Sequence, residues 1–234
     1  MSFPYQTIDV PGASALEVFW NLKREGRTQG FTPVIVGAGR DMELVSENFE
    51  VNGESIEDAL SQFSTRANSA VEVFQRLRGE YEGDLDEPYD DGFHTVSVAD
   101  VPDATSPKMG ITSHLDISNR KPLASVRIAK IPTLETWLVP IYLKCGGWNA
   151  CPEAVDHAVV AKYWFDKYGA EIVAATGSVM EFEVARPAAT KEAALELAKE
   201  QYVYCGDIVD QGVGDIQSLA ATVLDDKNWY FWWD

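Results

Sequence analysis

The strongest constraint on the fold comes from the aromatic run WYFWW near the end of the printed sequence. In an extended strand, Trp229, Phe231 and Trp233 share one face, while Tyr230 and Trp232 share the other. A strand that is apolar on both faces needs cover on both faces, because an exposed run of this kind promotes aggregation. The run therefore predicts a central, buried strand of a sheet.

Helical and strand patterns are interspersed along the rest of the chain, which predicts a mixed α/β protein whose sheet or sheets are flanked by helices. We predict helices at 14–25, 55–78, 152–168, 190–204 and 215–224. We predict strands at 31–36, 42–45, 95–98, 125–131, 171–175 and 179–184, with an apolar strand or approach segment at 137–143. The acidic stretch 80–94 predicts an exposed loop.

Two parts of the chain show the same order of features, which predicts an internal duplication of a helix–hairpin–helix unit. In each part a helix with a tryptophan, Trp20 or Trp164, precedes a glycine and a strand. A glycine turn and the triplet M-E-L or M-E-F follow, beginning at Met42 or Met180. Coincidental similarity of two α/β units is the alternative.

A turn-rich stretch at 100–122 predicts a hinge between an N-terminal α/β half, residues 1–122, and a C-terminal α/β half, residues 123–234. Three cysteines, an odd number, argue against a disulfide framework and favour reduced thiols in the cytoplasm. We see neither a signal peptide nor an apolar run of the roughly 20 residues that span a bilayer.

The formal net charge of −18 narrows the classes of partner. Nucleic acid and anionic membranes repel such a charge, so neither is expected as a partner. A basic protein or a cation is the partner that it attracts. Acidity that only keeps the protein soluble is the alternative.

The segment CGGWNACP, residues 145–152, is the most unusual part of the sequence. Its paired glycines allow close approach of the backbone, and Trp148 and Asn149 offer a stacking face and an amide. Cys151 precedes a predicted helix, whose N-terminus favours an activated thiolate. A tight structural turn is the alternative. His157, six residues further on, is about 600° around the helix from Cys151, so we expect the two not to face each other.

The segment YCGDIVDQGVGD, residues 204–215, concentrates polar groups around glycines. Its carboxylates can hold a hard cation or cap helix ends, and we predict no metal site and no cofactor. We expect this segment to lie beside residues 145–152. A buried Asn149 amide would then be satisfied by Asp207 or Gln211, and Cys151 would lie near Cys205.

The motifs GGWNACP, YGAE, YCGDIVDQG and WYFWWD resemble a bacterial family described as domain of unknown function 4253. The resemblance covers roughly residues 132–234 and implies a bacterial origin and a shared fold, with no catalytic residues. The family pattern emphasises Gly146, Gly147, Trp148, Asn149, Cys151, His157, Tyr204, Cys205, Asp207, Gln211 and Asp234.

These observations lead us to expect a bacterial cytoplasmic protein that binds a basic protein partner. Neutralisation of a basic toxin, as immunity proteins do, is the concrete form of this expectation. An enzyme or small-ligand binder with a site at 145–152 and 204–215 is the alternative. We assign no catalytic residue. The predicted binding residues are Trp148, Asn149, Cys151, His157, Cys205, Asp207 and Gln211.

Overall fold

A computed structural model describes residues 3–83, 92–105 and 107–234. Within this part of the chain, six strands form one sheet: β1 Gln6–Val10, β2 Thr32–Gly37, β3 Val126–Ile131, β4 Ala170–Ala175, β5 Val179–Val184 and β6 Asn228–Trp232. The helices are α1 Gly12–Gln29, α2 Arg40–Val51, α3 Ile56–Arg66, α4 Ala70–Gly83, α5 Val139–Leu143, α6 Ala154–Tyr168, α7 Lys191–Tyr204 and α8 Ile216–Val223.

The strands are ordered β1-β3-β2-β4-β5-β6. Neighbouring strands are antiparallel except for β2 and β4, which are parallel. The predicted mixed α/β fold with flanking helices is therefore confirmed. The sheet includes strands on both sides of the predicted hinge at 100–122. None of the described helices has the length and apolar character that crossing a membrane requires.

Helices cover the two faces of the sheet unequally. On β2, Ile35 packs toward α1, in a small core that includes Phe19. Its neighbours Val34 and Val36 belong to a much larger core formed with the other helices. All three β2 side chains are fully buried. Because alternate residues of a strand point to opposite faces, this pattern is that of a central strand covered on both sides.

The aromatic run forms β6 and packs on the larger core. Trp229, Phe231 and Trp233 are buried, and the Phe231 ring stacks on Trp164 of α6 at a centroid distance of 5.4 Å. The prediction of a strand at this position is confirmed. The predicted central position is wrong, because β6 pairs only with β5 and forms an edge of the sheet.

Partial cover explains how an edge strand tolerates aromatic side chains on both faces. Tyr230 is half-buried beside Glu181 of β5, its cross-strand partner. The Glu181 carboxylate is fully buried and accepts hydrogen bonds from the backbone amides of Thr112 and Ser113, at 2.7 and 2.9 Å. These bonds hold the loop that contains Thr112 and Ser113 over this part of the sheet. A loop therefore supplies part of the cover that the aromatic run requires on this face.

Several predicted elements differ from the observed ones. The helix predicted at 55–78 is two helices, α3 and α4, separated by a turn. Ser55 caps α3 by accepting a hydrogen bond from the Asp58 backbone amide. The segments at 95–98 and 137–143 contain short helical turns and α5, and form no strand. Residues 80–83 of the predicted acidic loop belong to α4, and 84–91 lie outside the described residues.

The predicted duplication is wrong. Met180 lies on a strand, β5, whereas Met42 lies on a helix, α2, so only the second unit contains a hairpin. Short apolar runs do not distinguish a strand from one buried side of a helix, and Met42 and Val45 are the two buried residues of α2. The similarity of the triplets is coincidental.

A buried carboxylate joins three helices on the larger core. Asp156 of α6 pairs with Arg66 of α3 and with Arg76 of α4, and its side chain is only 4% exposed. Both arginines stay partly in solvent, which limits the desolvation penalty of the pairs. Helix packing alone permits several crossing angles between helices. The two ion pairs of Asp156 therefore help to orient α3 and α4 on α6.

Trp20 and Trp164 differ in burial, so we expect their substitution to change stability by different amounts. Trp164 is fully buried among aromatic rings, whereas Trp20 is half-buried beside Phe19 and Lys23. We expect Trp164→Ala to lower the free energy of unfolding by about 3–5 kcal/mol and Trp20→Ala by less than about half of that. Urea denaturation followed by circular dichroism measures both. Equal losses would contradict the assignment of Trp164 to the centre of the core.

Candidate functional site

The segment 145–152 is a tight turn between α5 and α6. Lys144, Gly146, Gly147 and Asn149 all have positive φ, between 47° and 80°. The Gly147 amide donates to the carbonyl oxygens of Cys151 and Pro152, each at 3.2 Å. Glycine and asparagine are the residues that tolerate this conformation best, which is why the sequence GGWN produces this turn.

Gly146 also permits the close packing beneath the turn. A Cβ atom at this position would lie 1.7 Å from the Pro152 carbonyl oxygen and 2.9 Å from His157 Nε2. No side chain fits at that separation without displacement of the backbone. The paired glycines thus serve the approach of the chain to itself, as the structural-turn alternative predicts.

A buried polar chain lies beneath the turn and crosses the core. Cys151 Sγ lies 3.4 Å from His157 Nε2, and His157 Nδ1 lies 2.6 Å from the Tyr204 hydroxyl. The Tyr204 hydroxyl in turn lies 3.5 Å from the sulfur of Met180. One proton assignment satisfies every contact: the thiol donates to Nε2, Nδ1–H donates to Tyr204, and Tyr204 donates to Met180.

This chain is neutral. Burial lowers the pKa of His157 to about 3 and raises the pKa of the Cys151 thiol far above its usual range. The activated thiolate considered from the sequence is therefore contradicted, because burial outweighs the position before a helix. The expectation that Cys151 and His157 face apart is also wrong. Cys151 precedes the first helical residue, Ala154, so rotation along a helix does not separate the two.

Segments 145–152 and 204–215 are connected through residues 232–234, at the end of β6 and just after it. The Asn149 side-chain amide donates to the backbone carbonyl oxygen of Asp234 at 2.9 Å. The backbone amide of Asp234 donates to the Asp207 carboxylate, also at 2.9 Å. The Cys205 thiol donates to the Trp232 carbonyl oxygen at 2.9 Å. The expected proximity is thus mediated by residues 232–234, which lie between the two segments.

The expected roles of Asn149 and Gln211 differ from the observed ones. Asn149 is exposed, and its amide is satisfied by Asp234 instead of Asp207 or Gln211. Gln211 is also exposed and donates to Asp207 at 2.9 Å. Trp148 is half-buried and lines a surface cavity of about 290 Å³ with Gly146 and Gly147. The hydrogen bonds of Asn149 and Gln211 therefore connect surface loops.

The carboxylates of residues 204–215 have separate partners. Asp210 accepts a hydrogen bond from the Tyr202 hydroxyl at 3.0 Å, and Asp215 caps α8 by accepting from the Ser218 amide at 2.7 Å. In residues 3–83, 92–105 and 107–234, no three His, Cys, Asp or Glu side chains form a group suited to a metal ion. Helix capping, one of the two alternatives for these residues, is the observed role of Asp215.

All three cysteines are free and buried. Burial raises the pKa of Cys145 and of Cys205 to about 12. The reduced state that the odd number of cysteines predicted is confirmed. These thiols act as small apolar groups of the core, and two of them also donate hydrogen bonds.

From the sequence we did not predict that Tyr204 and Met180 belong to the buried polar chain with His157. Tyr204 and Met180 are separated from His157 along the chain and come together only because α7, β5 and α6 pack in the same core. Neither spacing nor composition relates them. The family pattern included Tyr204, which was the one available signal, whereas nothing in the sequence pointed to Met180.

A groove of about 550 Å³ lies elsewhere, where β2 ends and α2 begins. Asp9 lies on one side and is ion-paired with Arg127, with 2.7 Å between Asp9 Oδ1 and Arg127 Nε. This pair holds the pKa of Asp9 below its usual range, mainly through its hydrogen bond to the guanidinium. Glu43, Glu47 and Glu50 of α2 are exposed along the other side. Four of the five charged residues in the lining are acidic.

Asn149 provides a test of the turn, because its conformation and its hydrogen bond can be separated. We expect Asn149→Ala to lower the free energy of unfolding by about 1–3 kcal/mol, since alanine disfavours positive φ and lacks the amide. Asn149→Gly also removes the side-chain amide, but glycine adopts positive φ easily, so we expect a smaller decrease in the free energy of unfolding. Urea denaturation compares the two variants. A larger loss for glycine than for alanine would be incompatible with a turn that depends on positive φ.

His157 provides a pH-dependent test of the neutral chain. Its pKa is lower in the folded state than its ordinary value of 6.5, so the unfolded chain binds the extra proton. The contribution of His157 to stability is complete above about pH 6.5 and declines as the pH falls toward 3. Between pH 7 and pH 5, we expect the free energy of unfolding of His157→Gln to fall by about 1–2 kcal/mol less than that of the parent protein. Chemical denaturation at each pH measures both values. Identical losses would show that His157 does not stay neutral.

Comparison with known proteins identifies a family match for the C-terminal part of the chain. No curated protein and no solved structure matches the chain. Residues 127–234 match the family model described as Domain of unknown function (DUF4253). The matched segment begins in β3 and includes the turn at 145–152, the buried polar chain and β6. The resemblance predicted from the four motifs is confirmed, and residues 127–234 are the part of this protein that is similar to the DUF4253 family.

Proposed function

We propose that this protein works by binding a basic segment of another protein in the groove between α2 and the Asp9–Arg127 pair. The observation that carries the proposal is the pair of carboxylates Glu43 and Glu47. Both are exposed, line the groove and have no ion-pair partner within the described residues. Two like charges four residues apart on a helix destabilise it slightly, and a bound cation relieves that repulsion.

Asp9 and Arg127 are paired with each other, whereas Glu43 and Glu47 are not ion-paired within the described residues, and this difference supports the location. Arg127 is the single cationic residue in the groove lining, and Asp9 already neutralises it. A lysine or arginine side chain that enters the groove therefore meets Glu43 and Glu47 without competition from Arg127. The net charge of −18 adds a long-range field that attracts a basic partner and raises its association rate.

The chemistry of the turn at 145–152 favours binding over catalysis. A nucleophilic enzyme needs an accessible thiolate beside a basic imidazole. Here burial raises the pKa of Cys151 and lowers the pKa of His157, so both groups are neutral near pH 7. The carboxylates of Glu43 and Glu47 on α2 are, in contrast, exposed and accessible to a partner.

The specific form of the proposal is an immunity-like protein of the bacterial cytoplasm that neutralises a basic toxin. Support comes from the acidic groove and the strongly negative charge. In this role the groove covers basic residues that the toxin needs for its own substrate, and complementary charge gives fast capture.

Charge-neutralising variants test the groove. We expect Glu43→Gln with Glu47→Gln to weaken binding of an octa-arginine peptide at least fivefold, measured by calorimetric titration at low salt. The reason is that the substitutions remove both unpaired charges from the groove without changing side-chain size. Higher ionic strength should reduce the difference, because salt screens exposed charges.

The matched control is Glu17→Gln with Glu196→Gln. These residues are exposed on α1 and α7 and outside the groove lining, and their replacement removes the same total charge. We expect the control to change affinity less than twofold. If both double variants weaken binding equally, the peptide responds to net charge alone and the proposed groove is wrong.

A further inference from the structure

A cavity of about 230 Å³ lies beside the edge strand β6. Its walls are largely apolar and come from β6, from α8, from the loop that contains Met109 and from a π-helical turn, Ile208–Val213. Leu219, Val223 and Trp232 contribute side chains to the walls. An apolar cavity of about 150 Å³ binds benzene, so this cavity has room for a ring with a substituent.

Two buried donors among the lining residues have no acceptor in the described part of the protein. Gln201 is 2% exposed and Trp229 is 3% exposed. The side-chain nitrogens Gln201 Nε2 and Trp229 Nε1 are screened from solvent and make no hydrogen bond to a described residue. An unsatisfied buried donor is destabilising, so such groups are uncommon in native proteins and call for an explanation. Because both residues line the cavity, an acceptor atom on a ligand bound there satisfies them after a small shift of the wall.

The charges among the lining residues of the cavity disfavour an anionic ligand. Among the residues that line it there is no lysine or arginine, so an anionic group finds no counter-ion in the walls. Asp226 lines the cavity and is 4% exposed, which further disfavours an anion. Its carboxylate accepts a hydrogen bond from the Asn228 amide at 3.0 Å. The required acceptor is therefore an uncharged oxygen, such as a carbonyl.

The π-helical turn supports a ligand site at this position. Its C-terminal residue Val213 lines the cavity and is 39% exposed, and Met109 on another part of the wall is 40% exposed. A π-helical turn is less stable than a regular helix and occurs frequently at functional sites. Exposed apolar side chains beside an apolar cavity are typical of an entrance for a small molecule.

We propose that this cavity binds a neutral, mainly apolar small molecule whose carbonyl-type oxygen accepts hydrogen bonds from Gln201 and Trp229. The site is separate from the acidic groove, because the two share no lining residue. Binding here does not depend on the proposed basic partner, so either proposal can fail alone.

Acetophenone and isopropylbenzene are matched probes for this site. The two molecules have the same ring and nearly the same shape, but only acetophenone has an acceptor. We expect acetophenone to shift the indole N–H signal of Trp229 in ¹H–¹⁵N correlation spectra and to bind at least fivefold more tightly than isopropylbenzene. Trp229→Phe identifies the signal because it lacks the indole nitrogen.

Substitution of Gln201 separates recognition from folding. Gln201→Met keeps the size of the side chain and removes the unpartnered donor, so we expect no loss of stability in urea denaturation. The affinity for acetophenone should fall at least fivefold, while that for isopropylbenzene should change less than twofold. A site that hydrogen-bonds its ligand discriminates in this way against an analogue without the acceptor.

A blocked cavity gives a second readout. Gly110 lines the cavity and has open space around a Cβ atom, so Gly110→Leu should obstruct binding of both probes. Gly79 on α4 also has open space and lies outside this lining, so Gly79→Leu is the matched control and should leave binding unchanged. Equal affinities for the two probes, absence of binding by acetophenone, or equal effects of the two leucine variants would overturn the proposal.

Discussion

The structure depends on the burial of β6 against Trp164. Trp229 and Phe231 bring their rings within about 5.5 Å of Trp164, as measured between centroids. Contacts among large aromatic rings give more stabilisation than most other contacts of a core, because each ring removes a large area from water. This packing holds β6 at the edge of the sheet. It also fixes the positions of the residues that follow β6, to which the turn at 145–152 and the loop around Asp207 are hydrogen-bonded.

The buried polar chain is a second consequence of this packing. His157 and Tyr204 are hydrogen-bonded to each other, and both rings lie within about 5.4 Å of the Trp233 ring. Removal from water makes an unpaired polar group expensive, so each member of the chain must find a partner inside the core. Neutral groups meet this requirement without the desolvation penalty of ions. The unusual CGGWNACP motif is therefore explained by packing.

Sequence reasoning succeeded where a local rule determines the structure. Ser55, Thr190 and Asp215 accept hydrogen bonds from helix amides, and Gly169 ends α6 in the left-handed conformation, as their residue types predict. It failed where long-range packing decides. The segment containing Met42 has the apolar spacing of a short strand, yet it folds as a helix because one side of it packs on the core. The contact of Cys151 with His157 was missed for a related reason, since it depends on where α6 begins. The unsatisfied donors beside β6 have no signature in the sequence at all.

The strand order has a consequence for how the chain folds during synthesis. β1 pairs with β3, and β2 pairs with β3 and β4, so the described partners of both early strands begin at Val126 or later. A ribosome that has made the first half of the chain has produced two strands with no partner, including the apolar β2. Long-range pairing of this kind slows folding, and transiently exposed strand edges favour aggregation. The nascent chain must therefore keep β1 and β2 from associating with other chains until β3 emerges, and the many exposed carboxylates of the early helices help by keeping nascent chains apart through charge repulsion.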